Sequence, residues 1–129
     1  MSGCSWEEQT KWRKDFRLAI SISDCKLNPI WFDPTLYYNF ENDCHKTEKE
    51  PFNFDLYNLR NSDIVVVNFN NPASIGTAME LILAKEYNKP VIGWNSSGKP
   101  LHPWLIECTT RMCDSFEELI SHVKDFYLN

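Results

Sequence analysis

Residues 63–94 read Asp-Ile-Val-Val-Val-Asn-Phe (63–69), Asn-Asn-Pro-Ala-Ser-Ile-Gly-Thr (70–77), Ala-Met-Glu-Leu-Ile-Leu-Ala-Lys-Glu-Tyr (78–87) and Asn-Lys-Pro-Val-Ile-Gly-Trp (88–94). The apolar run 64–67 is typical of a strand that is buried on both faces of a parallel sheet. A helix over residues 76–87 and a second strand over residues 90–94 then complete a β-α-β unit. The pattern predicts an α/β fold, with Glu80 near the strand end where such sheets bind ligands.

The segments on either side of this unit supply the other layers of the predicted domain. Apolar spacing predicts three further helices, over residues 5–21, 52–61 and 116–128. The apolar segment Leu27–Asp33 ends in an Asp-Pro turn signal and predicts another strand, and residues 111–113 predict a short one. Residues 35–51 have no clear period, so they form either a lid over a site or a plain solvated loop.

The composition is that of one folded domain. Of the 129 residues, 43% are hydrophobic and 14% are aromatic, which is enough to form a core. The 18 Asp and Glu residues outnumber the 13 Lys and Arg residues and give a net charge of −5. Because no basic face would attract phosphates by charge, polymeric DNA or RNA is not an expected partner.

The cysteines and the hydropathy of the chain indicate a cytoplasmic protein. The five cysteines are scattered and form no Cys-x-x-Cys pair, so we expect reduced thiols rather than a zinc or redox site. No apolar run approaches membrane-spanning length, and the first residues lack the basic and apolar blocks of a secretory signal. We therefore expect no membrane partner.

Two motifs carry a resemblance to a known family. They are Asp-Leu-Tyr-Asn-Leu-Arg-Asn-Ser-Asp-Ile at residues 55–64 and Ser-Ile-Gly-Thr-Ala-Met-Glu at residues 74–80, and the match extends to residues 12–13, 33–34 and 89–91. In order and spacing they resemble the nucleoside 2-deoxyribosyltransferase family and the related nucleotide N-glycoside hydrolases. The resemblance implies one domain over residues 1–129 with a flavodoxin-like parallel sheet between helices. It also implies a homo-oligomer that acts on a nucleoside or nucleotide without a metal or organic cofactor.

Glu80 matches the family's nucleophile. Cleavage of an N-glycosidic bond builds positive charge at the anomeric carbon, and an ionised carboxylate can stabilise that charge or bond to the carbon. The start of the predicted helix should favour the ionised form of Glu80 through the helix dipole and free backbone amides. The alternative is that Glu80 is a surface acid that only complements the dipole.

Asp55 matches the family's second acid. The resemblance places it to hold the nucleophile or to exchange a proton with the departing base, a task that suits a carboxylic acid. The alternative is an ordinary acid in the first turn of a short helix. Asp63, at the start of the core strand, is expected to have a structural role as a cap or turn residue.

The turn before the Glu80 helix is the expected substrate-binding segment. Ser74, Gly76 and Thr77 should surround the helix start, which suits sugar hydroxyls or a 5′-phosphate. Ser2 and Gly3 resemble the end of a loop that lines the pocket in the family. Several transferases of the family have an aspartate where this chain has Ser74, so the sequence leaves room for a hydrolase.

The N-terminal segment departs from the family pattern. Family members open with a short apolar strand that runs into a small-residue loop, whereas this chain begins with Met-Ser-Gly-Cys-Ser. The usual first strand is therefore expected to be missing, so either the sequence starts late or the sheet is completed by another segment or chain. A missing central strand would leave unpaired edges that are prone to association.

Two other function classes remain open at the level of sequence. The first is a non-catalytic module that binds a nucleotide or an ADP-ribose-like ligand, which the serine at position 74 and the missing strand favour. The second is a plain flavodoxin-like interaction or response domain, although no acidic cluster typical of phosphorylated receivers is evident. The fold alone does not decide among the three.

Overall fold

Three parallel strands form the centre of the structure, a computed structural model that describes residues 6–36, 49–70 and 75–129. The strands are β1 (Val65–Asn68), β2 (Val91–Trp94) and β3 (Arg111–Cys113), in the order β1-β2-β3. In register, Val65 lies opposite Val91, and Ile92 lies opposite Arg111. The predicted parallel sheet is confirmed.

Helices cover the sheet on both faces. They are α1 (Trp6–Ser21), α2 (Lys49–Arg60), α3 (Ile75–Glu86), α4 (Pro103–Glu107) and α5 (Phe116–His122), with a π-helical turn at Val123–Tyr127. One core cluster joins Phe16 of α1 and Leu119 of α5 to Ile92 of the sheet. The other joins Leu59 of α2 and Leu81 of α3 to Val91. Since neighbouring strand residues point to opposite faces, α1 and α5 cover one face and α2 and α3 the other. The α/β fold class is confirmed, and the arrangement is consistent with a flavodoxin-like fold.

Several element boundaries differ from the sequence prediction. Helix α2 begins at Lys49, three residues before the expected start at Phe52, because Pro51 is tolerated in a first helical turn. The last helix changes at Val123 into a π-helical turn, closed by a 3.2 Å hydrogen bond from the Leu128 N–H to the Val123 carbonyl. Helix α4 was not expected in the proline-rich connection. Its start is stabilised by His102, whose Nδ1 accepts a hydrogen bond from the Trp104 N–H at 3.1 Å.

The strand predicted over Leu27–Asp33 is wrong. This segment contains no strand, and the side chains of Ile30 and Phe32 are 85% and 46% exposed. Its apolar composition matches that of a core strand, but a strand also needs a neighbour with which to form a ladder. Residues 27–33 lie across a cavity from the open edge of β1 and pair with no described strand, so they form no ladder.

No helix in the described ranges is long and apolar enough to cross a bilayer.

Candidate active site

A cavity of about 780 Å³ opens beside β1. Its wall is formed by residues 27–34, by β1 and by the inner faces of α1, α2 and α3. The volume lies within the range of roughly 300–1,000 Å³ that is usual for small-molecule sites. Asp55 and Glu80 both line it.

Helix periodicity places these two acids in the cavity wall. Asp55 shares a face of α2 with Asn58 and Leu59, at spacings of three and four residues. Thr77 and Glu80 occupy equivalent positions on α3. Because α2 and α3 cover the same face of the sheet, the two faces meet and bring the carboxyl groups together.

The side chains of Glu80 and Asp55 are joined by a hydrogen bond. Burial of Glu80, the adjacent charge of Asp55 and this hydrogen bond raise the pKa of Glu80 to about 8. The charge of Arg13 acts in the opposite direction and lowers the pKa of Glu80. Two carboxyl groups in contact cannot both ionise readily, so the pair retains one proton at neutral pH.

The expectation that the helix start would favour ionised Glu80 is therefore wrong. Helix α3 begins at Ile75, which puts Glu80 in the second turn. The effect of the helix dipole declines within the first turn, whereas burial and the charge of Asp55 act directly on the Glu80 carboxyl group.

A cluster of two arginines and one aspartate forms another part of the wall. Asp33 is 7% exposed, and it forms ion pairs with Arg17 and, at 3.4 Å, with the Nε of Arg13. The Thr35 N–H and hydroxyl donate hydrogen bonds to the same carboxylate at 2.9 and 2.7 Å. Arg13 is further held by a 2.7 Å bond to the Gln9 carbonyl and by the Trp12 ring, 5.0 Å from its guanidinium carbon. The cluster carries a formal charge of +1.

The structure places only some of the predicted site residues. Thr77 lines the cavity beside Glu80, and Gly76 lies in the first turn of α3. Ser2, Gly3 and Ser74 lie outside the described residues. Asp63 is exposed at the cavity rim, just before β1.

Sequence reasoning missed the ion pairs of Asp33, a residue that the sequence marks as part of an Asp-Pro turn and of the family resemblance. One signal was present, because Arg13 and Arg17 are four residues apart and therefore project from one face of α1. The position of Asp33 opposite that face depends on the path of residues 27–34, which no local pattern reveals. In the described ranges, no group of three or more His, Cys, Asp or Glu side chains is placed to hold a metal ion.

A scan of the chain against protein-family models finds no match, and a search of curated proteins finds no similar sequence.

Proposed function

We propose that this protein cleaves the N-glycosidic bond of a nucleoside or nucleotide, as nucleoside 2-deoxyribosyltransferases do, with Glu80 as the nucleophile. The observation that carries the proposal is the hydrogen-bonded pair of Glu80 and Asp55 in the wall of a ligand-sized cavity. Perturbed acids that meet in a cleft are typical of catalytic sites.

The proton content of the pair suits this reaction. The attacking carboxylate must be ionised, and the departing base must gain a proton. A hydrogen-bonded pair that holds one proton can supply both, because the proton can pass between the two carboxyl groups. The pKa of Glu80, about 8, means that this proton is still bound at neutral pH.

The first chemical step forms a bond between a Glu80 carboxylate oxygen and the anomeric carbon. The bond from that carbon to the base nitrogen breaks, its electron pair stays on the nitrogen, and the proton held by Asp55 passes to the base. In the second step, water or a second base attacks the anomeric carbon and loses a proton to Asp55. The ester bond to Glu80 then breaks, and the pair regains its starting state.

The Arg13, Arg17 and Asp33 cluster supports a nucleotide as substrate. Arg13 and Arg17 both line the cavity, and arginine is a strong partner for a 5′-phosphate.

A second candidate is a non-catalytic module that binds a nucleotide or an ADP-ribose-like ligand in this cavity. The raised pKa of Glu80 favours this alternative, because a protonated carboxyl group donates a hydrogen bond but is a poor nucleophile. Such a module would be stabilised by its ligand without forming a product.

The test is chromatographic detection of free base from a panel of ribo and deoxy nucleosides and 5′-monophosphates, with and without a second base. The variants are Glu80→Gln and Asp55→Asn, and Glu86→Gln, an exposed acid of the same helix, is the control. The proposal expects base release by wild type and Glu86→Gln that is lost in Glu80→Gln. Exchanged nucleosides would identify a transferase, and release alone a hydrolase. Ligand-induced melting shifts without product would overturn the proposal in favour of the binding module.

A further inference from the structure

The side-chain amide of Asn68, the last residue of β1, has a fixed orientation. The Ser96 N–H and hydroxyl both donate to Asn70 Oδ1, at 2.7 and 2.9 Å. Because a backbone N–H can only donate, the Asn70 oxygen faces Ser96 and the Asn70 NH₂ group faces Asn68. That NH₂ group donates to Asn68 Oδ1 at 2.7 Å, and the Asn70 backbone N–H donates to the same oxygen at 3.0 Å. The Asn68 NH₂ group is therefore turned away from this network.

The Asn68 NH₂ group has no hydrogen-bond acceptor among the residues that the structure describes. Asn68 lines the cavity of the candidate active site, at the carboxyl end of its strand. Ligands of open parallel sheets bind at this end of the strands. An amide whose oxygen is held by Asn70 can offer only its two N–H donors to a ligand, so Asn68 suits an acceptor oxygen of the substrate.

Asn68 and Arg13 lie on the same face of the sheet. Val66 packs with the core cluster of α1 and α5, and Asn68, two residues further along the strand, points to the same face. Trp94 lies opposite Asn68 in register, and its ring centroid is 6.2 Å from that of Trp12 in α1. The Arg13 guanidinium carbon lies 5.0 Å from the centroid of the same Trp12 ring. Asn68 and Arg13 therefore supply donors at the same level of the cavity wall.

The two acids of the site approach from the other face. Glu80 and Asp55 belong to α3 and α2, which cover the opposite side of the sheet from α1. In the proposed reaction Glu80 contacts the anomeric carbon and Asp55 serves the base, so the base lies near α2. The part of a nucleotide that extends towards α1 is then its 5′ end. Guanidinium and side-chain amide groups are common donors to phosphate oxygens.

We propose that Asn68 is a specificity-determining residue whose NH₂ group donates to a 5′-phosphate oxygen of the substrate, beside Arg13. The inference rests on the proposed function for the placement of sugar and base, and it narrows the substrate class to nucleoside 5′-monophosphates. Asn68 binds the phosphate and takes no part in the chemical steps.

The test is isothermal titration calorimetry with the common deoxynucleosides and with their 5′-monophosphates. Every protein carries Glu80→Gln, which prevents cleavage during the titration. Asn68→Asp keeps an oxygen for Asn70 and replaces the donor with a negative charge, whereas Asn68→Leu removes the donor without adding charge. Asn88→Asp is the control, because Asn88 is exposed before the amino end of β2 and its φ of 56° suits Asp as well as Asn.

The proposal expects Asn68→Leu to bind monophosphates at least roughly tenfold more weakly than the parent, and Asn68→Asp to bind them more weakly still. Affinity for the nucleosides should stay within about threefold in both variants, and Asn88→Asp should match the parent for every ligand. Melting curves establish that each variant is folded, and Asn68→Asp alone decides the question if Asn68→Leu is not.

Equal losses for nucleosides and monophosphates would overturn the proposal, because Asn68 would then contact the sugar or the base. Unchanged affinity for monophosphates, or no binding of any monophosphate at millimolar concentration, would overturn it as well. The titration needs no turnover. A failure of wild type to release base would therefore contradict the proposed reaction and leave the phosphate contact to be decided by affinity.

Discussion

The Glu80 carboxyl group of α3 is hydrogen-bonded to the Asp55 carboxyl group of α2 in the wall of the cavity. Burial of Glu80, followed by the like charge of Asp55 beside it, raises the pKa of Glu80 to about 8. The pair is therefore the feature from which the pH behaviour of both activity and stability follows.

The first prediction concerns the pH dependence of kcat/KM for base release. The active form of the pair holds one proton, so the rate should fall on the alkaline side near pH 8, where that proton is lost. Asp55→Asn removes the like charge that raises the pKa of Glu80. It should lower the rate at neutral pH and shift the alkaline limb to lower pH or remove it. An unchanged alkaline limb in Asp55→Asn would show that the limb has another origin.

The second prediction concerns stability and needs no substrate. Glu80 binds its proton more tightly in the folded protein, with a pKa of about 8, than at the ordinary value of 4.5. Between these values the folded state holds more protons than the unfolded state, so the free energy of unfolding falls as the pH rises. The Glu80→Gln variant has no carboxyl group at this position and so does not lose stability in this way as the pH rises. Its melting temperature at pH 8 should exceed that of wild type by on the order of 5 °C.

The comparison is between melting temperatures at pH 5 and pH 8, with Glu86→Gln as the exposed control. The difference between Glu80→Gln and wild type should grow across this interval, and the control should stay parallel to wild type. A difference that is independent of pH would contradict the raised pKa of Glu80.

The third prediction concerns the ion pairs of Asp33. Its side chain is 6% exposed and bonds to two arginines, so Asp33→Asn should lower the free energy of unfolding by about 2 kcal/mol. Asp15→Asn breaks the exposed pair with Lys11 and should cost less than about 0.5 kcal/mol. Urea denaturation of both variants measures the contrast. Equal decreases in the free energy of unfolding would show that Asp33 contributes no more to stability than a surface acid does.

The fourth prediction concerns Gly93 in the central strand. A Cβ there would lie 2.5 and 2.8 Å from two ring carbons of Phe69, and that ring is only 2% exposed and cannot move aside freely. Gly93→Ala should therefore destabilise the protein by about 1–3 kcal/mol, measured by urea denaturation. Gly98→Ala is the comparison, because its φ of +74° gives a backbone penalty of about 1 kcal/mol with no contact within 4 Å. If restoring space with Phe69→Leu fails to lessen the cost of Gly93→Ala, the packing explanation is wrong.

The core of the fold was predictable because its signals are local. The apolar runs 64–67 and 90–94 specify buried strands by themselves, and the helix between them follows from its periodicity. The strand prediction for residues 27–33 is wrong because strand formation depends on contacts with distant parts of the chain. An apolar segment becomes a strand only beside another strand, and its sequence does not state whether that neighbour exists.

In the candidate site, too, local signals select individual residues but do not predict the contacts between them. Asp55 and Glu80 could each be selected from the sequence, but their hydrogen bond depends on how α2 and α3 meet. The expected effect on the pKa of Glu80 had the wrong sign, because the helix dipole was considered without burial or the neighbouring charge. The contacts of Asp33 with Arg13 and Arg17 could not be predicted for the same reason, since they link distant parts of the chain.

The most direct test of Glu80 as the nucleophile is peptide mass spectrometry after incubation with nucleosides and 5′-monophosphates that carry fluorine at the 2′ position of the sugar. Fluorine there destabilises the positive charge of both transition states, and a glycosyl ester accumulates where its formation remains faster than its breakdown. The account predicts a fluorinated sugar attached to Glu80 in wild type and no adduct in Glu80→Gln. Release of base by wild type with no adduct, and at the same rate by Glu80→Gln, would contradict it.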